Sequence, residues 1–138
     1  MMARSGRHVI LLVDDFDDAR EMYAEYLTYS GFDVIQAANG LEALRCAVEQ
    51  LPDIILMDLA LPLMDGWEVT RRLKADSRTA HIPVVALTGH ALSWLLDAAK
   101  RAGCEAWITK PCLPEDLLRE VRRVLADAPS SRSTDQSR

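Results

Sequence analysis

Five short apolar segments alternate with five segments of helical periodicity, and this alternation constrains the fold more than any other feature of the chain. The apolar segments are residues 8–13, 33–37, 53–57, 83–87 and 105–109. Three of them are nearly continuous in apolar residues, which indicates strands buried on both faces, as in a parallel sheet covered by helices. The pattern therefore predicts an α/β fold: a single doubly wound domain with a five-stranded parallel sheet and helices on both faces.

Between the strands, apolar residues recur at three- and four-residue steps, which predicts helices. The three clearest stripes are Leu41, Leu44, Val48 and Leu51; Leu92, Leu95, Leu96 and Ala99; and Leu117, Val121, Val124 and Leu125. Residues 8–126 are expected to form the domain. Residues 1–7 are predicted to be a flexible N-terminus, and the Ser-rich residues 127–138 a disordered tail or linker.

The charge and the cysteine content exclude several classes of protein. The net charge of -5 argues against direct binding to nucleic acid or to an anionic membrane, since both need a basic surface. The apolar run from Val9 to Val13 is too short for a signal peptide or a membrane span. Cys46, Cys104 and Cys112 have no C-x-x-C spacing, and they are predicted to be reduced thiols of a cytoplasmic protein.

Polar side chains stand at the carboxyl ends of four predicted strands. Asp14 and Asp15 follow the first strand, Asp58 the third, Thr88 the fourth and Lys110 the fifth. A parallel sheet brings these ends to one edge, where doubly wound proteins bind their ligands. The sequence therefore predicts that three carboxylates, a hydroxyl and an ammonium converge.

Such a cluster is suited to phosphoryl transfer. Two like charges about 4 Å apart repel by ~1 kcal/mol in water and ~4 kcal/mol at an effective dielectric constant of 20. A protein relieves this repulsion by protonating one carboxyl or by binding a cation, and carboxylate oxygens suit Mg²⁺, with Mn²⁺ as an alternative. With the cation, Lys110 and Thr88 would hold the charge that develops on a transferring phosphoryl group, and Asp58 would be the nucleophile.

Taken singly, each of these residues has a simpler interpretation. An aspartate at the end of a strand is usually a helix N-cap or a turn residue, and Asp17 and Asp18 are interpreted in this way, opening the helix after Phe16. It is the occurrence of an acidic pair, an acid, a hydroxyl and a lysine at four separate strand ends that favours a site.

The sequence resembles the response-regulator receiver family over about residues 8–126. The matching segments are Val13-Asp14-Asp15, residues 57–66 (Met-Asp-Leu-Ala-Leu-Pro-Leu-Met-Asp-Gly), Leu87-Thr88-Gly89-His90 and Lys110-Pro111. The resemblance implies a flavodoxin-like strand order 2-1-3-4-5. It also implies a regulatory phosphoacceptor of two-component signalling that is not an enzyme, although it contributes to its own phosphorylation and slow dephosphorylation.

The resemblance implies a role for each site residue. Asp58 accepts a phosphoryl group from a phosphohistidine of a sensor histidine kinase or histidine phosphotransfer protein. Asp15, Asp58 and the backbone carbonyl of Ala60 ligate Mg²⁺, and Asp14 assists through a bound water. The resemblance leaves the downstream effector unknown and implies a monomer or weak dimer.

Further implied roles concern the switch. Thr88 and Lys110 contact the phosphoryl oxygens, and the Lys110–Pro111 bond is cis. As Thr88 moves, Trp107 turns inward, and the surface of helix 4, strand 5 and helix 5 changes shape. Gly89 stands where the family usually has Ala, Trp107 is larger than the usual switch aromatic, and Cys112 replaces a frequent Phe. Ala60 and His90 occupy positions that tune the lifetime of the phosphoryl group.

Two alternatives remain open at this stage. One is a receiver-like interaction module that is never phosphorylated. The other is a phosphatase similar to the haloacid dehalogenases, suggested by Asp15-Phe16-Asp17, although Ala19 stands where that family expects Thr or Val. The phosphatase would be labelled on Asp15 and the receiver on Asp58.

Overall fold

The computed structural model describes residues 6–89 and 93–127, and within them it has the predicted alternation of strands and helices. The strands are β1 Val9–Val13, β2 Asp33–Ala37, β3 Ile54–Asp58, β4 Val84–Thr88 and β5 Ala106–Thr109. The helices are α1 Asp17–Tyr29, α2 Gly40–Gln50, α3 Gly66–Ala75, α4 Ser93–Ala102 and α5 Pro114–Asp127.

The five strands form one parallel sheet in the order β2-β1-β3-β4-β5, which confirms the predicted fold class and strand order. Val13 pairs with Met57, Asp58 with Leu87, and Thr88 with Thr109. The last residues of β1, β3, β4 and β5 are therefore staggered by about one residue. The carboxyl ends of these four strands therefore lie at one edge of the sheet.

Two apolar clusters cover the two faces of the sheet. The successive residues of β3 alternate between them, because strand side chains point to opposite faces in turn. Ile55 and Met57 pack with α2, α3 and α4, whereas Ile54 and Leu56 pack with α1 and α5. All four are completely buried. This burial on both faces explains why β3 is a continuous apolar run in the sequence.

The buried face of α2 differs from the predicted stripe. Leu41 and Leu51 are 57% and 44% exposed, whereas the small residues Ala43, Cys46 and Ala47 are buried. Leu51 is the C-cap and has a left-handed backbone, with φ 49°, so its side chain leaves the helical stripe. Small side chains on the inner face let the helix lie close to the sheet, which spacing alone did not indicate.

Some predictions concern residues outside the described ranges. The predicted N-terminal segment falls mostly on residues 1–5 and the predicted tail on residues 128–138, while α5 itself continues through Asp127. His90 and Leu92 also lie outside the described residues. Over the residues that are described, no helix combines the length and apolar character needed to cross a membrane.

Candidate functional site

Three carboxylates meet at the carboxyl edge of the sheet. Asp14 and Asp15 follow β1, and Asp58 is the last residue of β3. One carboxylate oxygen from each lies within 4.8 Å of the others. Asp14 is fully buried and Asp58 is 6% exposed, whereas Asp15 is exposed to solvent. The cluster therefore has two buried acids and one that opens to solvent.

The Asp58 carboxyl group is held in place from two sides. Its Oδ1 accepts the Ala60 N–H at 2.9 Å, and its Oδ2 lies 3.5 Å from Lys110 Nζ. Burial raises the pKa of Asp58 above its ordinary value, because the surroundings solvate the charged form poorly. The Ala60 N–H and the Lys110 charge act against this increase, while the charges of Asp14 and Asp15 add to it.

Lys110 connects the buried acids. Its Nζ donates to Asp14 Oδ2 at 3.0 Å, in addition to its contact with Asp58. Burial disfavours the charged ammonium, but the hydrogen bond to Asp14 and the nearby Asp58 charge outweigh this effect and raise the pKa of Lys110. The peptide bond between Lys110 and Pro111 is cis, as the family resemblance implies.

Thr88 and Trp107 occupy neighbouring strands near the cluster. Thr88 is the last residue of β4 and is 5% exposed, and its carbonyl accepts the Lys110 N–H at 2.7 Å. Trp107 lies in β5 with a 39% exposed side chain. The backbone of Thr88 is thus hydrogen-bonded to Lys110, while Trp107 is partly exposed to solvent.

The loop from β3 to α3 returns the chain to Asp58. Asp65 is the N-cap of α3, and its Oδ1 accepts the Glu68 N–H at 2.9 Å. At Gly66, a Cβ atom would stand 2.5 Å from the Asp58 carbonyl oxygen and 2.8 Å from Leu59 Cα. Only glycine fits this approach, so the Asp-Gly pair begins α3 directly against the backbone of Asp58.

Between β1 and α1 the structure corrects one prediction. The helix does begin directly after Phe16, as predicted, but Asp17 and Asp18 are not its caps: Phe16 is the N-cap residue, without a side-chain cap hydrogen bond, and the two acids lie in the first turn. Asp14 orders the turn instead, because its Oδ1 accepts the Phe16 N–H at 2.9 Å. The negative charges of Asp17 and Asp18 still stabilise the N-terminus of α1, because that end of a helix carries a positive partial charge.

Two residues of α1 that the sequence analysis did not single out contact the site loops. Arg20 Nη1 donates to the Asp14 carbonyl at 2.8 Å, and the Tyr23 hydroxyl donates to the Cys112 carbonyl at 2.8 Å. The sequence does contain a signal for Arg20: Arg20, Tyr23 and Leu27 have the spacing of one buried face of a helix, and the first of them is charged. A charged residue in such a stripe requires a partner.

The donor set at this edge fits a small divalent cation. Three carboxylates within 4.8 Å are hard oxygen ligands, and the exposure of Asp15 leaves room for water ligands that Mg²⁺ retains. Lys110 compensates only part of their charge. The carbonyl of Ala60 stays a predicted ligand.

Comparisons with known proteins agree on one family. The model of the response regulator receiver domain matches residues 10–122. The polar-differentiation response regulator DivK of Brucella anthropi is 38% identical over 119 residues, which cover 86% of this chain and 97% of DivK. Its counterpart from Brucella ovis is 37% identical over the same length.

Solved structures are similar over the same region. The chemotaxis protein CheY4 of Vibrio cholerae has a TM-score of 0.83 at 32% identity, over 86% of this chain and 99% of CheY4. The receiver domain of a sensor histidine kinase from Pseudomonas aeruginosa PAO1 has a TM-score of 0.82 at 32% identity, over 88% of this chain and 100% of that domain. That structure was solved with a magnesium ion coordinated in its active-site cleft.

Proposed function

This chain belongs to the response-regulator receiver family, and on that premise we propose that Asp58 is its phosphoacceptor. The observation that carries the proposal is the position of the Asp58 carboxyl group. It is buried at the end of β3, beside two other carboxylates and 3.5 Å from Lys110 Nζ. Receivers are regulatory phosphoacceptor modules of two-component signalling, and residues 8–126 are proposed to be that module.

The proposed reaction transfers a phosphoryl group from a phosphohistidine. An Asp58 carboxylate oxygen bonds to phosphorus while the nitrogen–phosphorus bond breaks, and the electron pair of that bond returns to the imidazole. The negative charge on the equatorial oxygens must be held in place during transfer. Lys110 supplies an ammonium for one oxygen, and the hydroxyl of Thr88 is proposed to donate to another.

The acidic cluster is proposed to hold Mg²⁺ through Asp15, Asp58 and the Ala60 carbonyl, with Asp14 acting through water. Bound there, the ion would neutralise the carboxylates and the incoming phosphoryl oxygens. Mn²⁺ is expected to substitute, since its ligand preferences are similar. Burial raises the pKa of Asp58, so added positive charge also favours the ionised nucleophile.

The output is proposed to depend on Thr88 and Trp107. Thr88 is 5% exposed at the end of β4, and Trp107 is 39% exposed in β5. A phosphoryl group adds about −1.5 to −2 charges and three acceptor oxygens beside Thr88. When Thr88 shifts toward it, Trp107 turns inward, and the surface of α4, β5 and α5 changes shape.

The proposed partners follow from this scheme. A sensor histidine kinase or a histidine phosphotransfer protein supplies the phosphoryl group, and a separate effector reads the α4–β5–α5 surface. The net charge of -5 supports a protein effector rather than direct binding to nucleic acid. In the absence of a partner, a monomer or weak dimer is expected.

Intact-mass measurement with a small phosphodonor and Mg²⁺ tests the acceptor. We expect the mass of one phosphoryl group, absent without Mg²⁺ and absent in Asp58→Asn. Reduction of the acyl phosphate with borohydride should then give homoserine at position 58. A matched control is Asp65→Asn, because Asp65 is an N-cap outside the cluster and its variant should be labelled normally.

Other outcomes separate the alternatives. Homoserine at position 15 would contradict the proposal and favour the phosphatase related to the haloacid dehalogenases. A complete lack of label, with Mg²⁺ binding intact and with both a small donor and a phosphohistidine protein, would favour the interaction module. Tryptophan fluorescence on phosphorylation reports the proposed movement of Trp107, with Trp107→Phe as the reference.

A further inference from the structure

Arg20 is a nearly buried charge with acceptors in three directions. Its side chain is 11% exposed. Nη1 donates to the Asp14 carbonyl at 2.8 Å, Nε donates to Gln36 Oε1 at 3.0 Å, and Nη2 lies 2.9 Å from Asp17 Oδ1. The guanidinium thus joins the end of β1, the edge strand β2 and the first turn of α1.

Through Arg20, all four polar atoms of Asp14 have partners. The Asp14 N–H donates to the Ala37 carbonyl at 3.1 Å, Oδ1 accepts from Phe16, and Oδ2 accepts from Lys110. Arg20 satisfies the remaining atom, the carbonyl oxygen. A fully buried aspartate is therefore fixed in both its backbone and its carboxylate.

Fixing the Asp14 carbonyl has a consequence for Asp15. That carbonyl belongs to the peptide plane that joins the two acids, and a peptide unit is rigid. The hydrogen bond from Arg20 therefore sets the direction in which Asp15 leaves β1. Asp15 is exposed and has no other restraint of this kind among the described contacts, so its orientation depends on that plane.

We propose that Arg20 is a positioning residue for the cation site, because it orients the Asp14–Asp15 peptide. This inference rests on the proposed function of the acidic cluster. Arg20 would resemble residues in other metal sites that do not bind the metal themselves but hold its carboxylate ligands in place. Removing such a partner typically weakens metal affinity by about 10- to 100-fold.

The planar geometry of the Arg20 guanidinium, and not only its charge, should affect the affinity for Mg²⁺. The three acceptors lie in three directions, which a planar guanidinium can serve at once and a lysine ammonium on a flexible stem cannot. Arg20→Lys keeps the positive charge but loses the planar set of N–H donors, and Arg20→Met loses both. Arg45→Met is the matched control, since Arg45 is a 59% exposed arginine of α2 that pairs only with Glu49 among the contacts described.

The experiment is a Mg²⁺ titration of the unphosphorylated protein by calorimetry, with thermal unfolding recorded for every variant. We expect the dissociation constant to rise about 10-fold in Arg20→Met, to rise clearly in Arg20→Lys, and to stay at the parent value in Arg45→Met. An increase in Arg20→Met together with a parent-like Arg20→Lys would overturn the proposal, since charge alone would then be sufficient.

A merely structural role gives a different pattern. In that case Arg20→Met lowers the melting temperature but binds Mg²⁺ with the parent dissociation constant, which also overturns the proposal. If Arg20→Met does not fold, Gln36→Leu removes one acceptor at an exposed position and should weaken Mg²⁺ binding by a smaller factor. An unchanged constant in both Gln36→Leu and Arg20→Lys would contradict the inference.

The titration does not depend on phosphorylation. If the parent protein binds Mg²⁺ but is never labelled on Asp58, the proposed function fails while the result for Arg20 stands. If the parent is labelled on Asp58 and the Arg20 variants bind Mg²⁺ normally, the inference fails alone.

Discussion

Lys110 Nζ donates to Asp14 Oδ2 at 3.0 Å, and this contact joins the ends of β1 and β5, the first and the last strand along the chain. Asp14 is completely buried, whereas the Lys110 side chain is 22% exposed. The ammonium therefore compensates a charge that has no access to water, and it does so at the edge where phosphoryl transfer is proposed.

Lys110→Met should destabilise the fold as well as abolish phosphorylation. It leaves Asp14 as an uncompensated buried charge, and breaking a buried ion pair in this way costs about 3 kcal/mol. Urea unfolding at neutral pH measures the loss. Adding Asp14→Asn to Lys110→Met should restore part of it, because the neutral amide no longer needs the ammonium. A double variant less stable than Lys110→Met would contradict this account.

Asp58→Asn should increase the stability of the Mg²⁺-free protein. Burial raises the pKa of Asp58, so in the pH window between the ordinary value of 3.8 and the raised native value the native protein holds a proton that the unfolded chain has released. The stability of the parent relative to Asp58→Asn should therefore fall as the pH rises through that window and then level off. Denaturant unfolding at several pH values checks the sign, with Asp97→Asn as control, since Asp97 is exposed on α4 and lies away from the cluster.

Gly66→Ala and Gly89→Ala form a matched pair near the site. A Cβ at Gly66 would stand 2.5 Å from the Asp58 carbonyl, whereas a Cβ at Gly89 would have no atom within 4 Å. Overpacking of this kind costs about 1–3 kcal/mol, so Gly66→Ala should lower the free energy of unfolding by that amount. Gly89→Ala should be neutral. Equal effects of the two substitutions would show that the contact at Gly66 is relieved without cost.

Leu63→Gly should stabilise the loop between β3 and α3. Leu63 has φ 70°, and the Met64 N–H donates to the Pro62 carbonyl at 2.7 Å, which is a γ-turn centred on Leu63. A γ-turn with a positive central φ is strained, and strain of this kind costs a residue with a Cβ about 1–3 kcal/mol, whereas glycine adopts a positive φ readily. The leucine side chain is 89% exposed, so little packing is lost. The greater freedom of glycine in the unfolded chain offsets about 0.5–1 kcal/mol, so a net gain of up to about 1 kcal/mol in the free energy of unfolding is expected, measured by thermal unfolding.

Tyr23 should titrate late in the folded protein. Burial is the main reason that its pKa rises from 10.0 to about 12. Subtracting the absorbance titration of Tyr23→Phe from that of the parent isolates its ionisation. The native state keeps its proton after the unfolded chain has lost it, so the contribution of Tyr23 to stability is complete below pH 10 and is lost between about pH 10 and 12. A difference signal near pH 10 would contradict the buried position.

The sequence was sufficient to predict the architecture, because β1, β3 and β4 are buried on both faces and helical periods separate the strands. The apolar pattern predicts the ends of β3 and β4 one residue too early. The structure includes Asp58 and Thr88 in the strands, since the backbone pairing continues with Leu59 N–H to the Leu87 carbonyl and Lys110 N–H to the Thr88 carbonyl. Backbone pairing between distant segments determines where a strand ends, and the local apolar pattern gives no information about that pairing.

At the site, the differences between the sequence-based predictions and the structure share one physical cause. The sequence does not single out Arg20, because a charge on a helix is usually solvated, yet three acceptors contact it in the fold. The residue type of Asp17 and Asp18 favours caps, while in the fold Asp14 orders the preceding turn by accepting the Phe16 N–H. Each outcome depends on a contact between segments whose relative position only the folded chain defines.

The hydrogen bond between Lys110 and Asp14 spans 96 positions of the chain, and this has a consequence for biosynthesis. A nascent chain that has left the ribosome only as far as β4 already carries all three carboxylates, but not the ammonium that compensates them. Their mutual repulsion opposes closure of that edge until β5 emerges. Competence to receive a phosphoryl group is therefore expected only late in translation, and a product truncated before Lys110 is expected to carry the acids of the site without the proposed function.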